Sequence, residues 1–291
     1  MGVSRSVLLH LATSDDFERA VRRTPGGARA AWRAASRYVG GRTLDAALQT
    51  IGGLQADGHR VSVDLFGERV TDPARADGVL AGYRELAARL PAQPEEAWLS
   101  VDLSHLAVTA GAAAAADRLA VIAESLPPGR RIQVGAEDAA HAEVVRACVL
   151  DVAARGLADR LGATVQANLW RASADAEAFG DAGVHVRLVK GAYLESAGSH
   201  PHGEATDMSF LRLGFGLAER GGPWSAATHD GRMREALLLA HGEIDVEQLL
   251  GVRPDVVDQL RDRGVPTRVY VPFGGEWFRY WMRRVAESRG A

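Results

Sequence analysis

The chain has 291 residues and a formal net charge of −3, with 47% apolar and 24% charged residues. That balance is enough for a large buried core and excludes a disordered chain. The near-neutral charge gives no support to a general nucleic-acid binder. Of 34 basic residues only Lys190 is a lysine, Asn168 is the only asparagine and Cys148 the only cysteine. The drift towards Arg and Ala fits a GC-rich coding bias, so arginine abundance alone carries no functional signal. A single cysteine excludes an intramolecular disulfide and a cysteine-based zinc site, and it fits a reducing cytoplasm. No run of roughly 18 apolar residues occurs, so no integral membrane segment is expected.

The start of the chain, residues 1–6 (MGVSRS), matches the spacing of a myristoylation signal, a pattern that Gly and Ser also give by chance. The apolar run at 7–11 is too short for a secretory signal and is followed by Asp15-Asp16. Helices are expected at 17–23, 28–38 and 43–54, broken by Pro25-Gly26-Gly27 and Gly40-Gly41. Residues 1–58 are thus an N-terminal helical segment, expected on the outside or floor of the domain formed by the rest of the chain. Strand-like runs then recur at 61–65, 98–103, 131–136, 164–169, 184–189, 224–228, 244–249 and 267–271. Most are separated by amphipathic helical stretches, among them 73–90, 110–122 and 141–160.

This alternation predicts an α/β protein with parallel strands and helical crossovers. Residues 59–291 then form a (βα)₈ TIM-like barrel, with a doubly wound open sheet as the alternative. Polar and apolar positions alternate in Ser100-Val101-Asp102-Leu103-Ser104, in Gln133-Val134-Gly135-Ala136-Glu137 and in Gln166-Ala167-Asn168-Leu169. The central strands of an open parallel sheet would be apolar on both faces, so the pattern favours a barrel with a polar interior.

Barrel sites are built at the C-terminal ends of the strands. Strand five runs into Arg187-Leu188-Val189-Lys190-Gly191-Ala192-Tyr193, which carries two cations and a tyrosine. Buried cations need anionic or hydrogen-bonding partners. Strand six ends in Ala227-Thr228-His229-Asp230, where the histidine can meet a ligand or be held by Asp230. Strand eight gives Arg268-Val269-Tyr270-Val271-Pro272-Phe273-Gly274. In the helix after it, Tyr280 shares a face with Arg283 and Arg284, and the spacing of Arg283 and Glu287 allows them to pair. The ligand-type residues His200, His202 and Glu204 sit in a Gly/Pro loop, and no metal site is expected there.

Together, RLVKGAY at 187–193, ATH at 227–229, RVYVPFG at 268–274 and YWMRRVAE at 280–287 resemble the motifs of the proline dehydrogenase family. The first strand, Asp64-Leu65-Phe66-Gly67-Glu68, is also similar, and the resemblance spans about residues 60–288 in the expected order. It implies a distorted (βα)₈ barrel with non-covalent FAD at its C-terminal face. It also implies oxidation of L-proline to 1-pyrroline-5-carboxylate, hydride passing to the flavin and electrons then going to a quinone or O₂. On this resemblance Arg187 stands near the flavin, with Gln166 on its pyrimidine edge. Lys190, Gly191, Ala192, Thr228 and His229 contact the cofactor. Leu188, Tyr193, Tyr270 and Tyr280 wall the substrate ring. Arg283 and Arg284 hold the substrate carboxylate, and Glu287 positions an arginine. Aromatic walls exclude water around a hydride donor, and paired guanidiniums give fixed carboxylate recognition. A cytoplasmic location, with peripheral contact at the inner membrane left open, goes with these expectations.

The chain departs from the family at the candidate site. Asp102 stands in Ser100-Val101-Asp102-Leu103-Ser104 where the family has a lysine, and Gly135 stands where it has an aspartate. Asn168 and Phe273 replace usual tyrosines, and Asp230 a usual asparagine. Coding drift from lysine leads to arginine throughout this chain, so the acid at 102 is a reversal of sign. Three readings are open. The chain is a specialised homologue oxidising a C–N bond of a proline-like amine or hydrazine, with Asp102 as a substrate-binding or catalytic group. Alternatively it is an ordinary L-proline dehydrogenase in which Asp102 pairs with an arginine. Thirdly, it is a non-catalytic flavin- or ligand-binding paralogue.

Overall fold

The computed structural model describes residues 14–67, 69–90, 97–191, 193 and 195–288. The N-terminal hexapeptide and the apolar run after it lie outside them. Eight parallel strands close into a barrel in simple sequence order. They are β1 (Arg60–Leu65), β2 (Ala97–Val101), β3 (Ile132–Val134), β4 (Leu161–Gln166), β5 (His185–Val189), β6 (Trp224–Ala227), β7 (Asp245–Leu249) and β8 (Thr267–Phe273). Closure comes from β1 pairing with β8, from Arg60 opposite Arg268 to Leu65 opposite Phe273.

Among the described residues three helices precede the barrel: α1 (Asp15–Arg23), α2 (Gly27–Ala35) and α3 (Leu44–Ala56). Crossover helices come next as α4 (Pro73–Arg89), α5 (Ala112–Ser125), α6 (Ala142–Val152), α7 (Ala172–Asp181), α8 (Glu204–Arg220), α9 (Gly231–His241) and α10 (Pro254–Asp262). The last helix, α11, is Trp277–Ser288. Local chemistry sets several starts. Asp72 accepts from the Ala74 amide before α4, with Pro73 preset for the first turn. Asp230 accepts from the Arg232 and Met233 amides before α9.

The two faces of the strands separate by parity. Val61, Val63, Leu99, Val101, Ile132, Val134, Val186, Leu188, Val246 and Val271 join the helices in the main apolar core. The alternate positions, among them Ser62, Asp64, Ser100, Gln133, Arg187, Ser225, Glu247 and Arg268, are buried polar groups. The alternation read from the sequence is therefore the inside and outside of a barrel. Several boundaries differ from expectation, among them those of β4 and of the helix before it. β4 begins at Leu161 and ends at Gln166, three residues earlier than the expected 164–169. The helix expected to continue to 160 ends at Val152 and passes through a π turn at Ala153–Leu157 and a 3₁₀ turn at Ala158–Arg160. Gly156 (φ 87°) in that turn breaks the helix and releases the chain into β4 early.

For the N-terminal helices, expected on the outside or floor of the barrel, the partner is α11, against which α1 and α2 pack. Ala31, Ala35, Tyr38 and Val39 share a second apolar cluster with Trp277, Phe278 and Met282. Trp32 meets Trp277 edge-on at 5.2 Å, and Phe17 meets Phe278 at 6.0 Å. α3 lies against β1 and β8. The segment without a motif thus braces the helix that carries Tyr280, Arg283 and Arg284.

Candidate active site

The floor of the barrel is a buried ionic cluster. Arg187 donates to Glu247 from Nε at 2.8 Å, and its Nη2 lies 2.6 Å from the same carboxylate. Ser225 donates to the other Glu247 oxygen at 2.5 Å. Burial would raise the Glu247 pKa; the Arg187 charge and hydrogen bonds outweigh it and hold the carboxyl at about 2. Arg268 stands 3.3 Å over the Trp98 ring and donates to the Val61 carbonyl at 2.8 Å. Arg187 is therefore fixed in place inside the barrel.

Above this floor, at the C-terminal mouth, a cavity of about 490 Å³ including its open mouth is lined by Asp64, Asp102, Tyr270, Tyr280, Arg279 and Arg283, among others. Tyr270 comes from β8 and Tyr280 from α11, their rings 6.3 Å apart. Phe66, after β1, meets Tyr280 at 5.2 Å. Asp64, inward on β1, accepts from Tyr83 at 2.8 Å and from Tyr270 at 2.5 Å. Burial pushes the Asp64 carboxyl up to about 6, against the two phenol hydrogen bonds and the Arg187 charge. Burial and the Asp64 charge push both phenols well above their ordinary value.

Asp102 and Gly135 are neighbours in space. A β-carbon at Gly135 would stand 1.9 Å from Asp102 Oδ1. The two positions are thus one local arrangement, in which the Asp102 carboxylate fills the room that a side chain at 135 would need. Beside it the Glu137 carboxylate accepts from the Ser104 amide at 2.9 Å, and Gln166 Nε2 donates to the Glu137 carbonyl at 2.7 Å. Tyr193 donates to the Ala136 carbonyl at 3.1 Å.

The residues expected around a cofactor gather at the ends of β4, β5 and β6. His229 Nε2 accepts from the Leu249 amide at 3.2 Å. That bond leaves the ring hydrogen on Nδ1, which is buried with no partner in the protein. Burial, aided by Arg284, lowers the His229 pKa to about 4, so the ring is neutral at pH 7. Asp230 does not hold this histidine. It pairs with Lys190 at 2.6 Å, and Asp207 pairs with the same lysine at 2.5 Å. The Thr228 hydroxyl accepts from the Asp230 amide at 3.1 Å. Gln166 Oε1 is buried without a protein partner. Gly191 adopts φ +111°, and a β-carbon there would stand 1.9 Å from Asn168 Oδ1, so only glycine fits. A buried donor on His229 and a buried acceptor on Gln166, both at the strand ends, fit the polar edge of a flavin ring.

Leu188 departs from its expected place. It is fully buried in the main core and alternates with inward Arg187, so it packs towards the helices and does not line this cavity. Arg283 lines the cavity, whereas the neighbouring Arg284 guanidinium stands 4.9 Å over the Tyr280 ring. Ala192 and the Glu287 side chain lie outside the described residues. Asp64 and Arg279 line the site although neither is among the expected site residues, Asp64 lying in a stretch marked only by its likeness to the family. The inward parity of Asp64 and the four-residue step from Arg279 to Arg283 are the signals that point to them. Among the described residues no cluster of potential ligands could hold a metal ion, and no helix is long and apolar enough to cross a membrane.

Comparison with known proteins agrees with this geometry. The family model for proline dehydrogenase matches residues 47–291. A proline dehydrogenase of Deinococcus radiodurans is 30% identical over 271 residues, covering 88% of this chain and 87% of that protein. Proline dehydrogenase 1 of Bacillus subtilis is 30% identical over 267 residues, covering 87% and 86%. Among solved structures, proline utilization A of Bdellovibrio bacteriovorus, inactivated by N-propargylglycine, superposes with a TM-score of 0.83 at 18% identity. That match takes in 98% of this chain and 36% of the larger protein, so it speaks for the barrel alone. A Bradyrhizobium japonicum proline utilization A gives 0.76 at 22% identity over 94% of this chain and 33% of that one. On its sequence match, its closed barrel and its strand-end residues, the chain belongs to the proline dehydrogenase family, flavin-dependent oxidoreductases acting on CH–NH groups.

Proposed function

We propose that the chain oxidises the ring C–N bond of L-proline, or of a close proline analogue, with FAD as cofactor. The observation that carries this reading is that Arg279, Arg283, Tyr270, Tyr280 and Asp64 line one cavity at the barrel mouth. FAD, when bound, supplies the acceptor for the hydride. Gln166 Oε1 and His229 Nδ1–H are the buried acceptor and donor available to its polar edge, with Thr228, Lys190 and Gly191 close by. Arg187, locked by Glu247, would supply a fixed guanidinium to the bound cofactor, which favours an electron-rich ring.

Arg283 holds the substrate carboxylate, with Arg284 behind it against Tyr280. Tyr270 and Tyr280 flank the ring and exclude water. Asp64 fixes the Tyr270 hydroxyl and so orients that wall. Tyr193 and Asp102 complete the rim. The acceptor for the second half-reaction is a quinone or O₂, and the substrate is a small amino acid. The test is reconstitution with FAD followed by dye reduction on adding L-proline, with oxygen uptake recorded in parallel. Protein that takes up no FAD, or that reduces no dye with L-proline or its ring analogues, sinks the reading.

One observation favours a variant of this function. Asp102 puts a carboxylate into the cavity wall, and a specialised amine substrate would use it.

A further inference from the structure

We propose that Asp102 and Gly135 form one specificity element. In it the Asp102 carboxylate binds a cationic group on the substrate, so that the site prefers a proline ring bearing an added amine to one bearing a neutral group of similar size. This deepens, and rests on, the reading of the site as a centre for oxidation of proline-type amines.

Gly135 is not among the glycines with positive φ, so its backbone could carry any residue. What glycine supplies here is space. A β-carbon at 135 would lie 1.9 Å from Asp102 Oδ1 and 3.1 Å from its Cγ. Real β-carbons do not approach polar atoms so closely, so the Asp102 rotamer and any side chain at 135 exclude each other. The Gly135 amide meanwhile donates to the Val101 carbonyl at 2.8 Å, which pins β3 beside β2 and holds the pocket for the carboxylate.

Asp102 lines the cavity together with Asp64, Tyr270, Arg279 and Arg283. Both oxygens of Asp64 already accept, one from Tyr83 and one from Tyr270. The two guanidiniums suit the substrate carboxylate. Asp102 adds a second carboxylate to this wall beside Asp64, and an added ammonium on the substrate ring is the group of opposite charge that such a carboxylate recognises. A charge-assisted hydrogen bond in such a half-enclosed site changes affinity by about 10- to 100-fold.

The experiment uses FAD-loaded protein with L-proline, cis-4-amino-L-proline and cis-4-methyl-L-proline, the last being neutral at the ring substituent and similar in size. Turnover and calorimetric binding are measured for each. The expected result is a kcat/KM for the amino compound about 10-fold or more above that for the methyl compound, carried mainly by KM. Asp102→Asn, an isosteric change, brings the ratio close to one. Gly135→Ala displaces the carboxylate without removing it and lowers the ratio as well. Equal handling of the two substituted prolines by the wild-type chain, or a ratio that survives Asp102→Asn, overturns the proposal. The two failures are distinguishable. Turnover of L-proline without discrimination overturns the role of Asp102 and leaves the oxidation reading standing. Calorimetric preference for the amino compound without turnover of any of the three supports the role of Asp102 and sinks the oxidation reading.

Discussion

Replacing Glu247 by Gln tests the ionic floor on which Arg187 rests. Glu247 is 3% exposed and takes two contacts from Arg187, at 2.8 and 2.6 Å, and one from Ser225 at 2.5 Å. Its carboxyl is held at about 2 against an ordinary value of 4.5, although burial pushes the other way. A depression of that size is worth about 3 kcal/mol of folded-state stability. The variant keeps the shape and the Ser225 contact but strands a buried guanidinium, a change that typically costs about 3–5 kcal/mol. Urea unfolding at pH 7 is therefore expected to show a loss of about 3 kcal/mol. The pH dependence has a definite sign. Because the folded pKa is depressed, the stabilisation is complete above 4.5 and is lost as the pH falls towards 2. The gap between wild type and variant is widest at neutral pH and narrows on acidification. A loss below about 1 kcal/mol, the size of an ordinary exposed pair, or a gap that does not change with pH, refutes the reasoning.

Asp64 has the opposite sign: its carboxyl is raised from 3.8 to about 6. Ionising it in the fold costs about 3 kcal/mol, stability that is present below 3.8 and lost as the pH rises through 6, so Asp64→Asn removes that fall in stability between pH 4 and 7. If ionised Asp64 orients Tyr270, kcat/KM for L-proline rises through about pH 6 in the wild type and loses that step in Asp64→Asn. Trp277→Ala empties the joint between α11 and the N-terminal helices; thermal unfolding is expected to show a loss of about 3–5 kcal/mol, and KM to rise as Arg283 loses its support. His229→Phe leaves the Leu249 amide and the cofactor edge without their partner, and fluorescence titration is expected to show FAD binding weakened by about 10-fold or more. Unchanged FAD affinity would remove His229 from the cofactor site.

Much of the barrel was legible because strand parity is strict. Ser100-Val101-Asp102-Leu103 and Gln133-Val134 already separate inside from outside in the sequence. The same parity makes Leu188 a core residue, a point that a resemblance carried over residue by residue passes over. The early end of β4 was hidden because Gly156 breaks the helix within an Ala/Leu/Arg-rich stretch that reads as continuous. The role of α1 and α2 was illegible for a different reason. Trp32 and Phe17 make sense only with Trp277 and Phe278, some 245 to 260 residues away in the chain. Asp102 and Gly135 could be noticed one by one in the sequence. That they are a single steric exchange requires the 1.9 Å approach across β2 and β3. Lys190 was legible as a special cation, but its two carboxylate partners, Asp207 and Asp230, come from separate crossovers and meet only in the fold.

The most direct test of a C–N oxidation site at the barrel mouth is anaerobic mixing of FAD-loaded protein with L-proline while the flavin absorbance is followed. Bleaching of the oxidised flavin band, saturable in L-proline and abolished by Arg283→Met, is the predicted result. A flavin that stays oxidised with L-proline and with its amino- and methyl-substituted analogues would contradict the assignment of this cavity as a site of C–N oxidation.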